Sequence, residues 1–220
     1  MQLEGFSALI PAAGIGSRLG LGPKAFVEFG DRLLLQYVVD AFRPYAQEII
    51  VAVPKGQVSQ AKDILSGARI IVGGDTRQQT VQKLVVLSSK DIVLVHDVAR
   101  PLLTGDVITR TVRAAMENGA VTVAVPVQDS LIDIDTAAMV NRESLWAIQT
   151  PQAFRREVLL RAHEVASQNG CFGTDDASLV RAIGCPVTLI EGDARLLKIT
   201  TPEDLIIARS VIRGGYPIDE

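Results

Sequence analysis

The sequence is poor in cysteine, histidine and aromatic side chains: of 220 residues, two are Cys, two are His and 5% are aromatic. Cys171 and Cys185 are too few for a disulfide framework and lack the close pairing of zinc ligands. No apolar run approaches the roughly 18 residues that span a bilayer, and the N-terminus lacks the basic segment that begins a secretory signal. These absences predict a cytoplasmic protein with no membrane partner.

An excess of basic charge is also missing. The chain has 22 Lys and Arg residues against 25 Asp and Glu residues, which gives a net charge of -3. Nucleic-acid binding usually requires a basic surface, so we expect no nucleic-acid partner. Apolar residues, in contrast, are abundant at 48%, and no linker-like or low-complexity stretch interrupts them. Length and composition together predict a single globular domain over residues 1–220.

Short β-branched runs alternate with longer segments of helical spacing through the first 125 residues. The runs Phe6–Pro11 and Glu48–Val53 are almost continuously apolar, which is typical of strands buried on both faces of a parallel sheet. Segments such as Gln78–Leu87 and Val107–Asn118 have helical spacing. The predicted fold is therefore α/β, a doubly wound, mostly parallel Rossmann-like sheet. The pattern breaks at about residues 128–149, which we interpret as a projecting arm.

The loop after the first predicted strand, residues 11–24, is rich in glycine and carries Arg18 and Lys24. Ligands of open parallel sheets bind beyond the carboxyl ends of the strands, and small residues let backbone N–H groups approach phosphate oxygens. The dinucleotide fingerprint fails because Leu19 stands at its third glycine, and the Walker motif fails because Ala25 follows Lys24. The loop predicts a phosphate site, and it resembles the signature of nucleotidyltransferases that act on sugar or polyol phosphates.

Two further loops follow predicted strands and carry polar residues. A Gly-Gly pair precedes Asp75, which could either contact a ligand or cap the next helix. Asp97 and Arg100 follow the apolar run that ends at His96, where a carboxylate and a guanidinium can orient a phosphorylated polyol. His96, at a strand end, is interpreted as a structural histidine rather than a general base.

Seven motifs resemble, in order and spacing, the 2-C-methyl-D-erythritol 4-phosphate cytidylyltransferase family over about residues 7–205. They are Pro11-Ala12-Ala13-Gly14, Pro23-Lys24, Gly73-Gly74-Asp75-x-Arg77, His96-Asp97-x-Ala99-Arg100-Pro101, Thr150-Pro151-Gln152, Thr174-Asp175 and Lys198-Ile199-Thr200.

The resemblance implies an enzyme of the non-mevalonate isoprenoid pathway. Such an enzyme transfers CMP from CTP to 2-C-methyl-D-erythritol 4-phosphate by in-line attack on the α-phosphorus, giving 4-diphosphocytidyl-2-C-methyl-D-erythritol and pyrophosphate. The resemblance also implies Mg²⁺ on the CTP triphosphate, no metal site formed by the protein itself, and a homodimer formed through the 128–149 arm.

The resemblance assigns site residues as well. The residues implied to bind CTP are Pro11, Ala12, Ala13, Gly14, Gly16, Ser17, Arg18, Lys24, Gly74, Asp75 and Thr80. The residues implied to bind the acceptor are Asp97, Arg100, Ser130, Arg142, Thr150 and Lys198. The catalytic set is Arg18, Lys24, Arg142 and Lys198. Asp176 stands where the family pattern has glutamate, which leaves its contacts open.

Two alternatives differ in function. A ribitol-5-phosphate cytidylyltransferase would share the first loop and the Thr150-Pro151-Gln152 segment, but Pro11-Ala12-Ala13-Gly14 and the segments 96–100 and 141–146 favour the methylerythritol branch. A non-catalytic nucleotide-binding module would share the fold, but the retained cations argue against it. Because the sequence ends at Glu220, we expect no fused cyclodiphosphate synthase domain.

Overall fold

The computed structural model describes residues 5–14, 16 and 19–214. The strands in this part of the chain are β1 (Phe6–Pro11), β2 (Glu28–Phe29), β3 (Arg32–Leu33), β4 (Glu48–Val53), β5 (Arg69–Val72), β6 (Ile92–Val95), β7 (Ala120–Pro126), β8 (Leu131–Ile132), β9 (Met139–Val140), β10 (Trp146–Arg155) and β11 (Thr188–Glu191). The α-helices are α1 (Leu34–Phe42), α2 (Val58–Ile64), α3 (Arg77–Leu87), α4 (Gly105–Asn118), α5 (Arg156–Gln168), α6 (Asp176–Ala182) and α7 (Pro202–Arg213).

Seven strands form one central sheet in the order β11-β7-β10-β6-β1-β4-β5. Each neighbouring pair is parallel except the two that involve β10, which runs antiparallel to both β6 and β7. The predicted α/β fold with a mostly parallel sheet is therefore confirmed. The carboxyl ends of β1, β5 and β6 lie at one edge, where the predicted ligand loops begin.

Helices cover both faces of the sheet, which explains why strands such as β1 and β4 are almost continuously apolar. In β1, Ala8 and Ile10 pack in a cluster with α1, α2 and α4, while Leu9 between them packs on the opposite face with α3, α5 and α6. Successive side chains of a strand point to opposite faces, so both need apolar partners. The absence of apolar–polar alternation in these runs thus reflects two buried faces, as the sequence predicts.

Strand β10 is absent from the sequence prediction, which has no strand between the arm and α5. Pro151 lies inside it, and a proline within a run argues against a central strand. The register of β10 against β7 shifts between Ile148 and Gln152, so the residues around the proline are outside the regular pairing. Gln152 is fully buried and donates to Thr122 Oγ1 at 2.9 Å and Asp175 Oδ2 at 2.7 Å. A polar strand is stable here because its side chains are hydrogen-bonded.

The segment predicted as an arm is built from β8, β9 and a 3-10 turn at Arg142–Ser144. Every residue from 128 to 144 is exposed, and among the described strands β8 and β9 pair only with each other. The last residues of the predicted 128–149 segment, from Trp146, belong to β10. Dimerisation through this arm, like the single-domain organisation, stays a prediction.

The final helix, α7, has Pro202 in its first turn. Its N-cap is Thr201, whose hydroxyl accepts from the Asp204 backbone N–H. Across the described ranges of the chain, none of the helices combines the length and apolar character needed to cross a membrane.

Candidate active site

A cavity of about 310 Å³, called cavity 1 below, lies at the carboxyl edge of β1 and β6. Ten of the residues implied by the sequence line it: Pro11, Ala13, Gly14, Gly16, Lys24, Gly74, Asp75, Thr80, Asp97 and Lys198. Thr76, Arg77, Val98 and Ala99 complete the described lining. Motifs separated by as many as 187 positions in the sequence therefore share one cavity, although their individual roles stay predictions.

Glycines permit one close approach within the glycine-rich loop and another between that loop and the Gly73-Gly74 turn. Gly16 has φ +68°, and a Cβ on it would lie 2.4 Å from the carbonyl oxygen of Gly22. A Cβ on Gly73 would lie 2.2 Å from the Cβ of Ala13. Both distances are far below van der Waals contact, so a larger residue at either position would displace the backbone around it.

Asp75 lines cavity 1 and does not cap the helix that follows. The N-cap of α3 is Thr76, whose Oγ1 accepts from Gln79 N at 3.1 Å. The alternative interpretation of Asp75 as a cap is therefore wrong. Thr80 is buried, and its Oγ1 accepts from Gly74 N at 2.9 Å, so it holds the Gly-Gly turn in place.

Lys24 connects the glycine-rich loop to the C-terminal part of the chain. It begins a short 3-10 helix, Lys24–Phe26, and its Nζ donates to the carbonyl oxygen of Ile199 at 2.6 Å. Ile199 is buried in a cluster with Leu19 and Leu205. The ammonium is thus held at the cavity wall beside the segment that carries Lys198.

Asp97 contacts two cations, one through each carboxylate oxygen. Arg77 Nε lies 3.0 Å from Oδ1, and Lys198 Nζ lies 2.8 Å from Oδ2. Burial by itself raises the pKa of Asp97, but Arg77 and Lys198 outweigh it and hold the pKa well below its usual range. Asp97 is therefore an anion that orients cations, and it is not suited to act as a general base.

Arg77 is the principal residue that the sequence interpretation missed. Its Nη1 lies 2.8 Å from Asp176 Oδ2, and His163 Nε2 lies 3.2 Å from Asp176 Oδ1. Asp176 is 1% exposed, so the shorter side chain at the family's glutamate position makes two buried contacts. The position of Arg77 in the Gly-Gly-Asp-x-Arg motif could have indicated it as a site residue. Nothing in the sequence pairs it with Asp176.

His96 and Thr150 lie directly behind Asp97 and outside the lining of cavity 1. His96 Nδ1 lies 3.1 Å from Thr150 Oγ1, and its Nε2 lies 2.9 Å from the carbonyl oxygen of Arg100. A carbonyl can only accept, so Nε2 carries the hydrogen. Burial lowers the pKa of His96 to about 4, which keeps the ring neutral. The interpretation of His96 as structural is confirmed.

A second cavity of about 600 Å³, called cavity 2, adjoins cavity 1 through Lys198, which lines both. Arg100 lines cavity 2 with the base of the arm, at Gln128 and Asp129. Arg100 is 9% exposed and donates through Nη1 to the carbonyl oxygen of Leu196, while its buried Nε has no partner among the described residues. Burial lowers the pKa of this guanidinium.

The loop that carries Lys198 is tied down by a residue that the sequence interpretation also missed. Gln149, on β10, donates to the carbonyl oxygen of Asp193 at 2.9 Å and accepts from Asp193 N at 3.2 Å. Ile199 N donates to the carbonyl oxygen of Ala99 at 2.8 Å. The local sequence around Gln149 does not predict this contact, because it does not predict β10.

Several predicted residues do not line cavity 1. Ala12 is buried in the core, and Ser130 and Arg142 are exposed on the arm, where Arg142 Nη1 donates to the carbonyl oxygen of Gln128. Ser17 and Arg18 lie outside the described residues. Among the residues that the structure does describe, no group of three or more His, Cys, Asp or Glu side chains could hold a metal ion.

Known proteins resemble this chain over almost its whole length. A 2-C-methyl-D-erythritol 4-phosphate cytidylyltransferase from Deinococcus radiodurans is 47% identical over 218 residues, which cover 96% of this chain and 92% of that protein. One from Thermus thermophilus is 44% identical, covering 94% of this chain and 97% of that protein. A crystal structure of the Thermus thermophilus enzyme superimposes with a TM-score of 0.85 at 41% identity, covering 96% of this chain and 100% of that one.

The family itself is matched over the same region as the fold. Its sequence pattern, described as IspD: 2-C-methyl-D-erythritol 4-phosphate cytidylyltransferase, matches residues 6–214. The match therefore includes the whole central sheet and both cavities. On this evidence the chain belongs to the 2-C-methyl-D-erythritol 4-phosphate cytidylyltransferase family and is a nucleotidyltransferase enzyme.

Proposed function

We propose that this enzyme transfers CMP from CTP to 2-C-methyl-D-erythritol 4-phosphate, releasing pyrophosphate. The observation that carries the proposal is the position of Lys198, which lines both the glycine-rich cavity 1 and the adjoining cavity 2. A cation between two cavities is suited to a reaction in which one phosphate attacks another. The family match and the names of the relatives support this pair of substrates.

CTP is assigned to cavity 1. The glycine-rich loop offers backbone N–H groups for phosphate oxygens, and Lys24 adds a cation at the same wall. The Asp75 side chain lines the cavity without a hydrogen bond or ion pair to the described residues, so its carboxylate is available to hydroxyl or amino groups of the nucleoside. Arg18, from the undescribed part of the loop, stays a predicted phosphate contact.

The acceptor is assigned to cavity 2, with its phosphate directed at Lys198. Arg100 lies in this cavity, and its buried Nε, which lacks a partner among the described residues, could donate to a polar group of the acceptor. The arm base at Gln128 and Asp129 lines the same cavity, so Ser130, next in sequence, is close to it along the chain. Thr150 supports this site from behind, through the Asp97 backbone.

The proposed chemistry needs no strong base. An acceptor phosphate oxygen is already ionised near neutral pH, so it can form the new bond to the α-phosphorus as the bond to the pyrophosphate oxygen breaks. The role of the protein is to align the two phosphates and to stabilise the charge that moves onto the leaving oxygens. Lys24 and Lys198 are assigned to this role, with Arg18 and Arg142 as the other predicted cations.

Mg²⁺ is proposed to enter bound to the CTP triphosphate, whose charge it would neutralise in part. The donor set fits this arrangement, because Mg²⁺ is commonly held by phosphate oxygens with only one or two carboxylates. The phosphate oxygens of CTP would supply its ligands, since both oxygens of Asp97 contact cations and Asp75 is assigned to the nucleoside.

A homodimer through the arm is also proposed. The arm and the strand that follows it expose seven large apolar side chains: Leu131, Ile132, Ile134, Met139, Val140, Trp146 and Ile148. Contiguous exposed apolar surface is typical of protein–protein contacts. Arg142, on the same arm, would then reach an acceptor site of the second copy.

We propose the cytoplasm as the compartment, because the chain contains only two cysteines.

The deciding experiment measures pyrophosphate release by the purified chain with CTP and Mg²⁺. We expect turnover with 2-C-methyl-D-erythritol 4-phosphate and little or none with ribitol 5-phosphate. Turnover with ribitol 5-phosphate alone would replace the acceptor assignment. Absence of turnover with both acceptors would favour a non-catalytic nucleotide-binding module.

A further inference from the structure

We propose that Asp176 is a positioning residue for Lys198. Acting through Arg77 and Asp97, it determines where the Lys198 ammonium lies between the two cavities. The inference rests on the proposed function, because Lys198 is assigned there to the reacting phosphates.

Four side chains form an unbroken series of charge contacts. Lys198 Nζ lies 2.8 Å from Asp97 Oδ2, Asp97 Oδ1 lies 3.0 Å from Arg77 Nε, and Arg77 Nη1 lies 2.8 Å from Asp176 Oδ2. Each carboxylate uses one oxygen for each neighbour, and the charges alternate in sign along the series. His163 ends it by contacting the other oxygen of Asp176 at 3.2 Å.

The two ends of the series differ in their surroundings. The Lys198 side chain is 42% exposed and lines both cavities. Asp176 is 1% exposed, lines neither cavity, and lies at the start of α6 against His163 of α5. Asp176 is therefore placed to act on the reaction only through Arg77, and the series connects a solvent-exposed ammonium to the packed helices α5 and α6.

Arg77 depends on Asp176 to hold its orientation. Its side chain is a third exposed, and its buried Nη2 has no hydrogen-bond partner among the described residues. Within this part of the chain, the contacts to Asp97 and Asp176 hold the guanidinium. Arg77 now divides its charge between two carboxylates. Without the Asp176 charge, Arg77 would pair with Asp97 alone, and the attraction of Asp97 for Lys198 would decrease.

The test is a cycle of three variants of the full chain: Asp176→Asn, Lys198→Met and the double variant. We expect Asp176→Asn to lower kcat about 10-fold with KM for CTP within about twofold, because small misplacements of a catalytic group are costly. In the Lys198→Met background the same change should lower kcat by less than about twofold. An equal loss of kcat in both backgrounds would overturn the proposal, since a purely structural role of Asp176 would not depend on Lys198.

Two further variants separate positioning from stability. Asp176→Glu keeps the charge, so its kcat should stay within about threefold of the wild type even if overpacking lowers Tm by several degrees. Asp106→Asn removes an exposed carboxylate paired with Arg110 on α4 and should leave kcat unchanged. If Asp176→Asn does not fold, Arg77→Lys replaces it in the cycle, because lysine keeps the charge but cannot contact both carboxylates as a guanidinium does.

Failure of the proposed function can be distinguished from failure of this inference. Absence of turnover by the wild-type chain would overturn the proposed function. Crystal structures of the wild type and of Asp176→Asn then test the inference independently of any activity measurement. A displacement of Lys198 Nζ by more than about 1 Å from Asp97 Oδ2 would support it, since a shift of that size is costly in catalysis. Unchanged positions of Arg77, Asp97 and Lys198 would overturn it.

Discussion

The hydroxyl oxygen of Thr150 lies 3.1 Å from the backbone nitrogen of Asp97, although 53 positions separate the two residues. The same oxygen lies 3.1 Å from His96 Nδ1. The hydroxyl thus accepts from the Asp97 N–H and donates to the neutral His96 ring. One buried hydroxyl of β10 therefore joins the antiparallel strand to the loop that carries the central carboxylate of the site.

Thr150→Val should destabilise the protein and weaken catalysis. The change leaves the Asp97 N–H and the His96 Nδ1 without partners in a buried site, which costs about 1–3 kcal/mol for each such group. Urea unfolding at pH 7 measures the loss. The matched control is Thr111→Val, because the buried Thr111 hydroxyl donates only to the Val107 carbonyl of its own helix at 2.7 Å. Equal losses for the two variants would contradict the connecting role of Thr150.

Lys24→Ala should lower kcat about 100-fold or more, because one cation directed at developing charge contributes about 3–4 kcal/mol to the barrier. Pyrophosphate release under saturating substrates gives kcat. Lys62→Ala, at an exposed position of α2, is the control and should retain full activity. A decrease of less than about fivefold for Lys24→Ala would exclude the proposed role.

Arg142→Ala should raise KM for 2-C-methyl-D-erythritol 4-phosphate while leaving the affinity for CTP unchanged. In the proposed dimer Arg142 contacts the acceptor site of the second copy, so its loss weakens acceptor binding. Arg142 does not line cavity 1, which is assigned to CTP. Steady-state kinetics with each substrate varied in turn separates the two effects. Arg113→Ala, exposed on α4, serves as the control. An equal loss of CTP affinity would count against the arm as an acceptor contact.

Ile134→Asp should convert a dimer into monomers. Ile134 is 90% exposed at the tip of the arm, and burying a carboxylate in an apolar contact is unfavourable. Light scattering after size exclusion gives the molar mass. Ile206→Asp is the matched control, because Ile206 is also exposed, at 64%, but lies on α7. Dissociation by the α7 variant alone would place the interface elsewhere.

Stability should fall as the pH decreases from 7 to 5. Burial lowers the pKa of His96 to about 4, while an unfolded histidine titrates near 6.5. Between these values the unfolded chain binds a proton that the folded chain does not, so stability is present above about pH 6.5 and is lost toward pH 4. The loss attributable to His96 is about 2 kcal/mol by pH 5. Urea titrations at both pH values measure it.

A His96→Gln variant provides the control for this pH dependence. It should flatten the change between pH 7 and pH 5 by the same amount. The carboxyls of Asp97 and Asp176, whose folded pKa values are lowered below the ordinary range, contribute only in more acidic solution, below about pH 4. An unchanged pH dependence in His96→Gln would show that another group titrates.

Local sequence was sufficient to predict the strands and helices that have a regular pattern of apolar residues. β1 and β4 coincide with the predicted runs, and α3 and α4 differ from the predicted segments by one or two residues at one end. It was insufficient for β10, because Pro151 and the buried Gln149 and Gln152 have the composition of a loop. Their burial is tolerated only because partners from distant segments satisfy them.

The sequence by itself determined the fold class, the glycine-rich loop and the order of the family motifs, since these depend on residue type and spacing along the chain. Only the tertiary structure decided which charges meet. The contacts of Asp97 with Arg77 and Lys198, and of Arg77 with Asp176, join residues up to 101 positions apart. Such contacts arise from strand order and helix packing, and the identity of a charged residue does not specify its partner.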